Sequence, residues 1–259
     1  MKKKLNIALI QADLVWEVPK ANRANFEKKI KSLPDDTDVV VLPEMFTTGF
    51  TMNAKKVAET MKGETVSWMK SMALEHDVAI VGSLVIKENK RFYNRFLFVE
   101  PSGYISIYDK RHTFTLVGED RVYSAGKEKV IIHFKGWKIR PLICYDLRFP
   151  VWSRNTEDYD VLIYVANWPK TRIVAWDILL QARAIENMCY SVGVNRVGID
   201  GTNSKYSGHS AVYNVLGELL TSFKPNEKQV EIVTLEKRHI TAYRKKLRFL
   251  DDRDVFKIT

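Results

Sequence analysis

The chain has 259 residues, of which 46% are hydrophobic and 28% charged, a balance that fits one or two soluble domains with a sizeable core. No window approaches the roughly eighteen consecutive apolar residues of a membrane span, so no membrane partner is expected. The net charge of +10 is spread over clusters at 2–4, 28–31, 127–138 and 244–246 with no RNA-binding or zinc-finger motif, which predicts a basic solvated surface and no nucleic-acid partner.

Residues 5–10 form a short apolar run bounded by polar residues, the pattern of a fully buried strand. The basic start and the early Gln11, Asp13 and Glu17 read as this strand and not as a secretory signal. Residues 20–32 place Ala21, Ala24, Phe26 and Ile30 among Lys, Arg and Asn, as an amphipathic helix does. Pro34 and two aspartates make a turn. Residues 39–42 are a second buried strand ending at Pro43 and Glu44. A Thr/Gly loop leads to a helix at 64–76 and a strand at 78–86. The strand 91–99 turns at Pro101 and Gly103 into 104–108, an antiparallel hairpin.

The pattern then repeats. Strands are expected at 130–134, 137–143 and 161–165, and a helix at 172–188 whose apolar face includes Trp176, Leu180 and Ala184. A strand at 189–197 precedes a Gly-rich loop, 198–208. Residues 210–214 and 218–223 read as a second hairpin, 230–235 as the last strand, 236–247 as a basic helix, and the tail after Leu250 as an extended arm. Continuous apolar strands imply sheets covered on both faces. Interspersed helices and hairpins give a layered α/β fold with mixed sheets. No linker or repeat divides the chain, so one domain spanning 1–259 is expected.

Three strand ends carry an unexpected charge or thiol: Glu44, Lys110 and Cys144. In α/β sheets ligands collect at the carboxyl ends of strands. A carboxylate at Glu44 can take the proton of the Cys144 thiol, leaving a thiolate to attack a carbonyl or nitrile carbon. Lys110, as an ammonium, would lower the thiol pKa and stabilise an oxyanion together with the backbone N–H of Tyr145. Glu119 is a candidate second carboxylate that orients Lys110. Taken singly, each residue also has an ordinary reading: helix-start acid, surface lysine, core cysteine, loop acid. Rival chemistries lack their motifs. No phosphate loop or H-E-x-x-H zinc site is present, and the five histidines are dispersed, so no metal is expected. A Cys–His pair with His112 or His209 has no local signature. Two cysteines and no secretory signal point to free thiols and the cytoplasm, with Cys189 assigned to packing.

Leu42-Pro43-Glu44-Met45, Asp109-Lys110-Arg111-His112 and the run from Ile143 through Cys144 to Pro150 resemble, in order, the Glu, Lys and Cys motifs of the nitrilase superfamily of carbon–nitrogen hydrolases. The resemblance covers essentially the whole chain. It implies a four-layer α-β-β-α sandwich, a homodimer or larger homo-oligomer, no cofactor, and a Glu44–Lys110–Cys144 triad with Glu119 as second glutamate. The segments around Phe50, 150–155, 164–169, 182–187 and 195–201 look like the bacterial omega-amidase branch. That likeness implies hydrolysis of the terminal amide of 2-oxoglutaramate or 2-oxosuccinamate. A deaminated-glutathione amidase, another small-amide or nitrile hydrolase, and a non-catalytic binding protein with the same fold are the alternatives. A small anionic substrate needs a cation. Arg172 or Arg196 is placed at a strand end to bind its carboxylate, with Trp168 and Phe50 as walls. Arg148 reads instead as a structural ion-pair partner of Asp146 or of the surroundings of Glu44.

Overall fold

A computed structural model of the chain describes residues 2–258. The first half runs β1 (Lys4–Gln11), α1 (Pro19–Ile30), β2 (Val39–Val41), the one-turn α2 (Ala54–Val57), α3 (Glu64–Glu75), β3 (Ala79–Glu88), β4 (Arg91–Val99) and β5 (Ile105–Asp109). The second half runs α4 (Glu119–Val122), β6 (Ile132–Phe134), β7 (Trp137–Ile143), α5 (Pro150–Ser153), β8 (Val161–Ala166), α6 (Ile173–Asn187), β9 (Tyr190–Asn195), β10 (Val197–Ile199), β11 (Lys205–Ser207), β12 (Ala211–Tyr213), β13 (Gln229–Glu236) and α7 (Lys237–Leu247).

The strands form a six-stranded sheet in the order β13-β1-β2-β3-β4-β5 and a five-stranded sheet in the order β12-β9-β8-β7-β6. Both are mixed: β1, β2 and β3 run parallel, as do β7, β8 and β9, and the outer strands are antiparallel. Side-chain alternation along β1 sets the layers. Leu5, Ile7 and Leu9 enter the core shared with Ile139 and Ile163 of the second sheet. Ala8 and Ile10 face the other way and pack with Phe26 and Ile30 of α1 and Val66 and Met69 of α3. On the far side of the second sheet, Trp176, Leu180 and Ala184 of α6 recur at every fourth residue and seal its outer face. The result is helix, sheet, sheet, helix: the four-layer sandwich that the resemblance implies.

Three expected elements differ. The strand expected over 189–197 stops at Asn195, whose Oδ1 accepts the N–H groups of Trp168 and Arg196. Val197 then pairs with Ala12 instead, and Gly198, at φ +91°, turns the chain. The loop expected over 198–208 contains the short ladder β10–β11. The strand expected over 218–223 is reduced to a single bridge, Tyr213 to Leu219. There Asn214 Oδ1 accepts the N–H groups of Leu216 and Glu218, a side-chain substitute for ladder bonds.

Leu180 lies on Gly193 of β9: a Cβ added to that glycine would sit 2.5 Å from Leu180 Cδ1. Leu180→Ala empties this contact. It is expected to lower the unfolding free energy by about 2–5 kcal/mol, measured as a reduced urea midpoint at unchanged slope.

Candidate active site

Because β5 is antiparallel to β4, and β4 to β3, β5 ends at the same edge of its sheet as β2. Glu44 lies in the turn after β2, and Lys110 directly follows β5. Cys144 directly follows β7 and Asn167 directly follows β8, at the carboxyl edge of the facing sheet. The two edges meet. Lys110 Nζ lies 3.0 Å from Glu44 Oε1 and 2.9 and 3.0 Å from the two Glu119 oxygens. All three side chains are buried. Asn94 of β4 donates from Nδ2 to both carboxylates, at 2.7 Å to Glu44 and 3.3 Å to Glu119. The other Glu44 oxygen accepts the backbone N–H of Asn167 at 2.9 Å, and Asn167 Nδ2 donates back to the Glu44 main-chain carbonyl. Phe114 N–H donates to Glu119 Oε2.

Cys144 opens a 3-10 turn, Cys144–Arg148, with φ at +43°. A non-glycine residue rarely adopts that region, and it costs about 1–3 kcal/mol unless its surroundings enforce it. Asp146 supplies the enforcement. Its Oδ2 accepts Ile143 N–H at 3.0 Å and the Tyr108 hydroxyl at 2.7 Å. Its Oδ1 accepts His112 N–H at 3.0 Å and faces His112 Nδ1 at 2.8 Å. Trp152 Nε1 donates to Tyr108 Oη, and the His112 ring stacks on Phe149 at 3.6 Å. The turn thus fixes the thiol at the end of an apolar strand. It also presents early N–H groups, that of Tyr145 among them, with no helical partner of their own.

The thiol opens on a cavity of about 430 Å³ walled by Trp16, Phe50, Phe114, Trp168 and Tyr206 and floored by Glu44, Lys110 and Asn167. Two guanidinium groups reach it. Arg148 lies over the Trp168 ring at 4.9 Å and Arg172 over the Phe114 ring at 5.1 Å. Among the described residues neither has a carboxylate within ion-pair distance.

A buried, hydrogen-bonded Glu44–Lys110 pair lining one cavity with a half-buried Cys144 at the sheet ends is the geometry of covalent amide hydrolysis. The family model for carbon-nitrogen hydrolases matches residues 6–245.

The chain belongs to the carbon-nitrogen hydrolase family.

This hydrolase is 43% identical over 97% of its length to omega-amidase YafV of Yersinia enterocolitica, covering 98% of that protein. It is 36% identical to 2-oxoglutaramate amidase of Bacillus subtilis, over 84% of this chain and 85% of that one. Among solved structures, a CN-hydrolase superfamily protein of Xanthomonas campestris, carrying an arsenic adduct in its active site, superposes with a TM-score of 0.97 at 39% identity over the whole of both chains.

The hydrolase brings together Glu44, Lys110, Cys144 and Glu119 as the sequence suggests, and Phe50, Trp168 and Arg172 line the cavity. Glu119 is the buried first residue of α4 and does not sit in an exposed loop. Two arginine assignments change. Arg196 is fully buried away from the cavity, bonded to Asp13 at 2.9 Å and to main-chain carbonyls, with its guanidinium over Tyr206. It holds the turn before β10 and does not line the cavity. Arg148, expected in an ion pair with Asp146, enters the cavity because Tyr108 and His112 already occupy Asp146. Sequence reasoning misses Asn94 and Asn167. The one signal for Asn167 is its place after an apolar strand; Asn94, inside a strand, offers none.

Electrostatics assign the resting protonation. Burial alone would weaken the Lys110 ammonium, but the charges of Glu119 and Glu44 outweigh it and hold its pKa well above the usual lysine value. Burial pushes the Glu119 carboxyl up. Burial, and then the Glu44 charge, push the Cys144 thiol well above its ordinary range, and Lys110 only partly opposes them. The expected lowering by Lys110 is therefore real but outweighed: burial and the Glu44 charge hold the resting thiol toward its neutral form. Glu44→Gln removes the charge that disfavours the thiolate. The pH midpoint of iodoacetamide alkylation at Cys144 is expected to move to lower pH in this variant, while amide turnover falls. An unmoved midpoint would contradict the contact.

Proposed function

We propose that this hydrolase is an omega-amidase that cleaves the terminal amide of a small 2-oxo dicarboxylic monoamide, 2-oxoglutaramate or 2-oxosuccinamate, to the 2-oxo acid and ammonia. The observation that carries the substrate class is the pair Arg148 and Arg172, two guanidinium groups facing the Cys144 cavity without acid partners among the described residues. A planar guanidinium matches a carboxylate bidentately. The cavity, about 430 Å³, suits a five-carbon dicarboxylate derivative. The similarity to proteins named omega-amidase and 2-oxoglutaramate amidase supports the same reading.

The chemistry proceeds in two halves. The substrate carboxylate docks on the arginines and its carboxamide carbon sits over Cys144 Sγ. Glu44 takes the thiol proton as the S–C bond forms, and the carbonyl oxygen becomes an oxyanion held by Lys110 and Tyr145 N–H. Glu44 passes the proton to the nitrogen, the C–N bond breaks, and ammonia leaves a thioester. Glu44, again a carboxylate, then takes a proton from water as that water attacks the thioester carbon. When the second tetrahedral intermediate collapses, the C–S bond breaks and the proton returns to sulfur. Lys110 never gives up its proton, consistent with its strongly raised pKa. Glu119 holds the ammonium in place. A nucleophilic thiol must stay reduced, and both cysteines are free, which supports a cytoplasmic setting.

Ammonia release from 2-oxoglutaramate is expected in wild type and should fall roughly a thousand-fold or more in Cys144→Ala. Equal rates would refute the mechanism. Arg148→Ala and Arg172→Ala should each raise KM for 2-oxoglutaramate by about 10- to 100-fold, the scale of a lost charged hydrogen bond. Turnover of a neutral amide such as butyramide should change little.

A further inference from the structure

Resting on the amidase reading, we propose that Asn167 binds the leaving nitrogen of the substrate. Its side-chain Oδ1 accepts an N–H of the carboxamide and makes this site selective for amides over groups that lack that hydrogen.

Asn167 directly follows β8, is buried and lines the cavity. Its Nδ2 is fixed at 2.5 Å on the Glu44 main-chain carbonyl, so the planar amide also fixes Oδ1. Oδ1 is buried and accepts no hydrogen bond among the described residues. A buried acceptor without a donor is costly, about 1–3 kcal/mol, and most such atoms are paired in folded proteins. The free protein leaves this one unpaired on a residue that lines the cavity.

Asn94 Oδ1 is likewise unpaired among the described residues, but Asn94 does not line the cavity, and the carboxylates that surround the thiol are occupied. Glu44 Oε1 takes Lys110 and Asn94, and Oε2 takes the Asn167 N–H. Both Glu119 oxygens face Lys110, and they also take Asn94 and Phe114 N–H. Asp200 is saturated by Thr202, Ser204 and Tyr206. A carboxamide bound over Cys144 brings two N–H donors into this region. Asn167 Oδ1 is the acceptor left to receive one.

The consequence is chemical. Once sulfur adds, the nitrogen becomes pyramidal and its lone pair must face the proton on Glu44. An N–H held by Oδ1 fixes the rotation about the C–N bond. Asn167 is anchored to Glu44 through both its backbone and its side chain, so acceptor and proton donor stay in register. A nitrile has no N–H to offer and an ester has an oxygen in that place, so neither gains from Oδ1.

The test pairs 2-oxoglutaramate with the 5-methyl ester of 2-oxoglutarate, which keeps the carbon skeleton and loses the N–H. In Asn167→Ala the backbone N–H to Glu44 remains. Its kcat/KM for the amide is expected to fall 10- to 100-fold, while the ester changes by less than about threefold, the difference being one hydrogen bond. Equal loss for both substrates, or no loss for either, would overturn the proposal. Calorimetry in Cys144→Ala adds a readout independent of the Asn167 variant's folding. The amide should bind at least several-fold tighter than the ester, and Asn167→Ala should erase that preference; equal binding of the two by Cys144→Ala overturns it. The substrate reading fails separately, by wild-type enzyme that releases no ammonia from 2-oxoglutaramate. The amide-to-ester ratio is then read on succinamate and its methyl ester: a loss confined to the amide in Asn167→Ala upholds the proposal, and an equal loss for both overturns it.

Discussion

Lys110 is an ammonium buried between two carboxylates, and the rest of the site is built around that fact. Moving such ions out of water is expensive, and only close, well-bonded partners offset it. Here the offset comes from Glu44 and Glu119 at about hydrogen-bond distance, from Asn94 donating to both, and from backbone N–H groups of Asn167 and Phe114. One positive charge against two negative ones leaves the cluster an excess of negative charge when both acids are ionised. Burial first, and then that excess, keep the neighbouring thiol protonated at rest. The same ammonium that neutralises the acids then meets the developing oxyanion, so one ion serves both the ground state and the transition state.

The layered fold was legible because its physical cause is local. Parallel strands buried on both faces must be continuously apolar, and 39–42 and 161–165 are so. Elements failed where side chains compete with the backbone. Asn195 ends β9 early and Asn214 replaces a ladder over 218–223. Neither competition is visible without knowing which N–H comes near. Glu44, Lys110 and Cys144 stood out as polar groups at the ends of apolar runs. Asn94 sits inside a strand rather than at its end, and its role depends on two acids distant in sequence.

The arginines show the limit of strand-end reasoning. Arg148, Arg172 and Arg196 all follow or flank the carboxyl ends of strands, yet their environments differ. Arg196 is enclosed, spends its donors on Asp13 and carbonyls, and has its pKa lowered by burial. Arg148 and Arg172 keep their donors free by stacking on Trp168 and Phe114. Stacking on an aromatic face satisfies a guanidinium without consuming its in-plane N–H groups. The sorting is decided by what already occupies each acid. Asp146, the nearest acid to Arg148 in sequence, is taken by Tyr108 and His112.

Asp146 has a wider effect. It belongs to the turn after a strand of one sheet, and its partners Tyr108 and His112 belong to the end of a strand of the other. The Asn167 link to Glu44 also crosses from sheet to sheet. Neither sheet alone holds a competent thiol: one has the acids and the lysine, the other the cysteine. Their docking brings Glu44 and Asn167 together across 123 positions, and such non-local contacts form late because loop closure must precede them. A nascent or partly folded chain therefore carries an ordinary cysteine without its general base or its oxyanion partners. Amide hydrolysis comes into being only when the two sheets dock, while the same docking buries the thiol beside Glu44 and keeps it protonated until a substrate arrives.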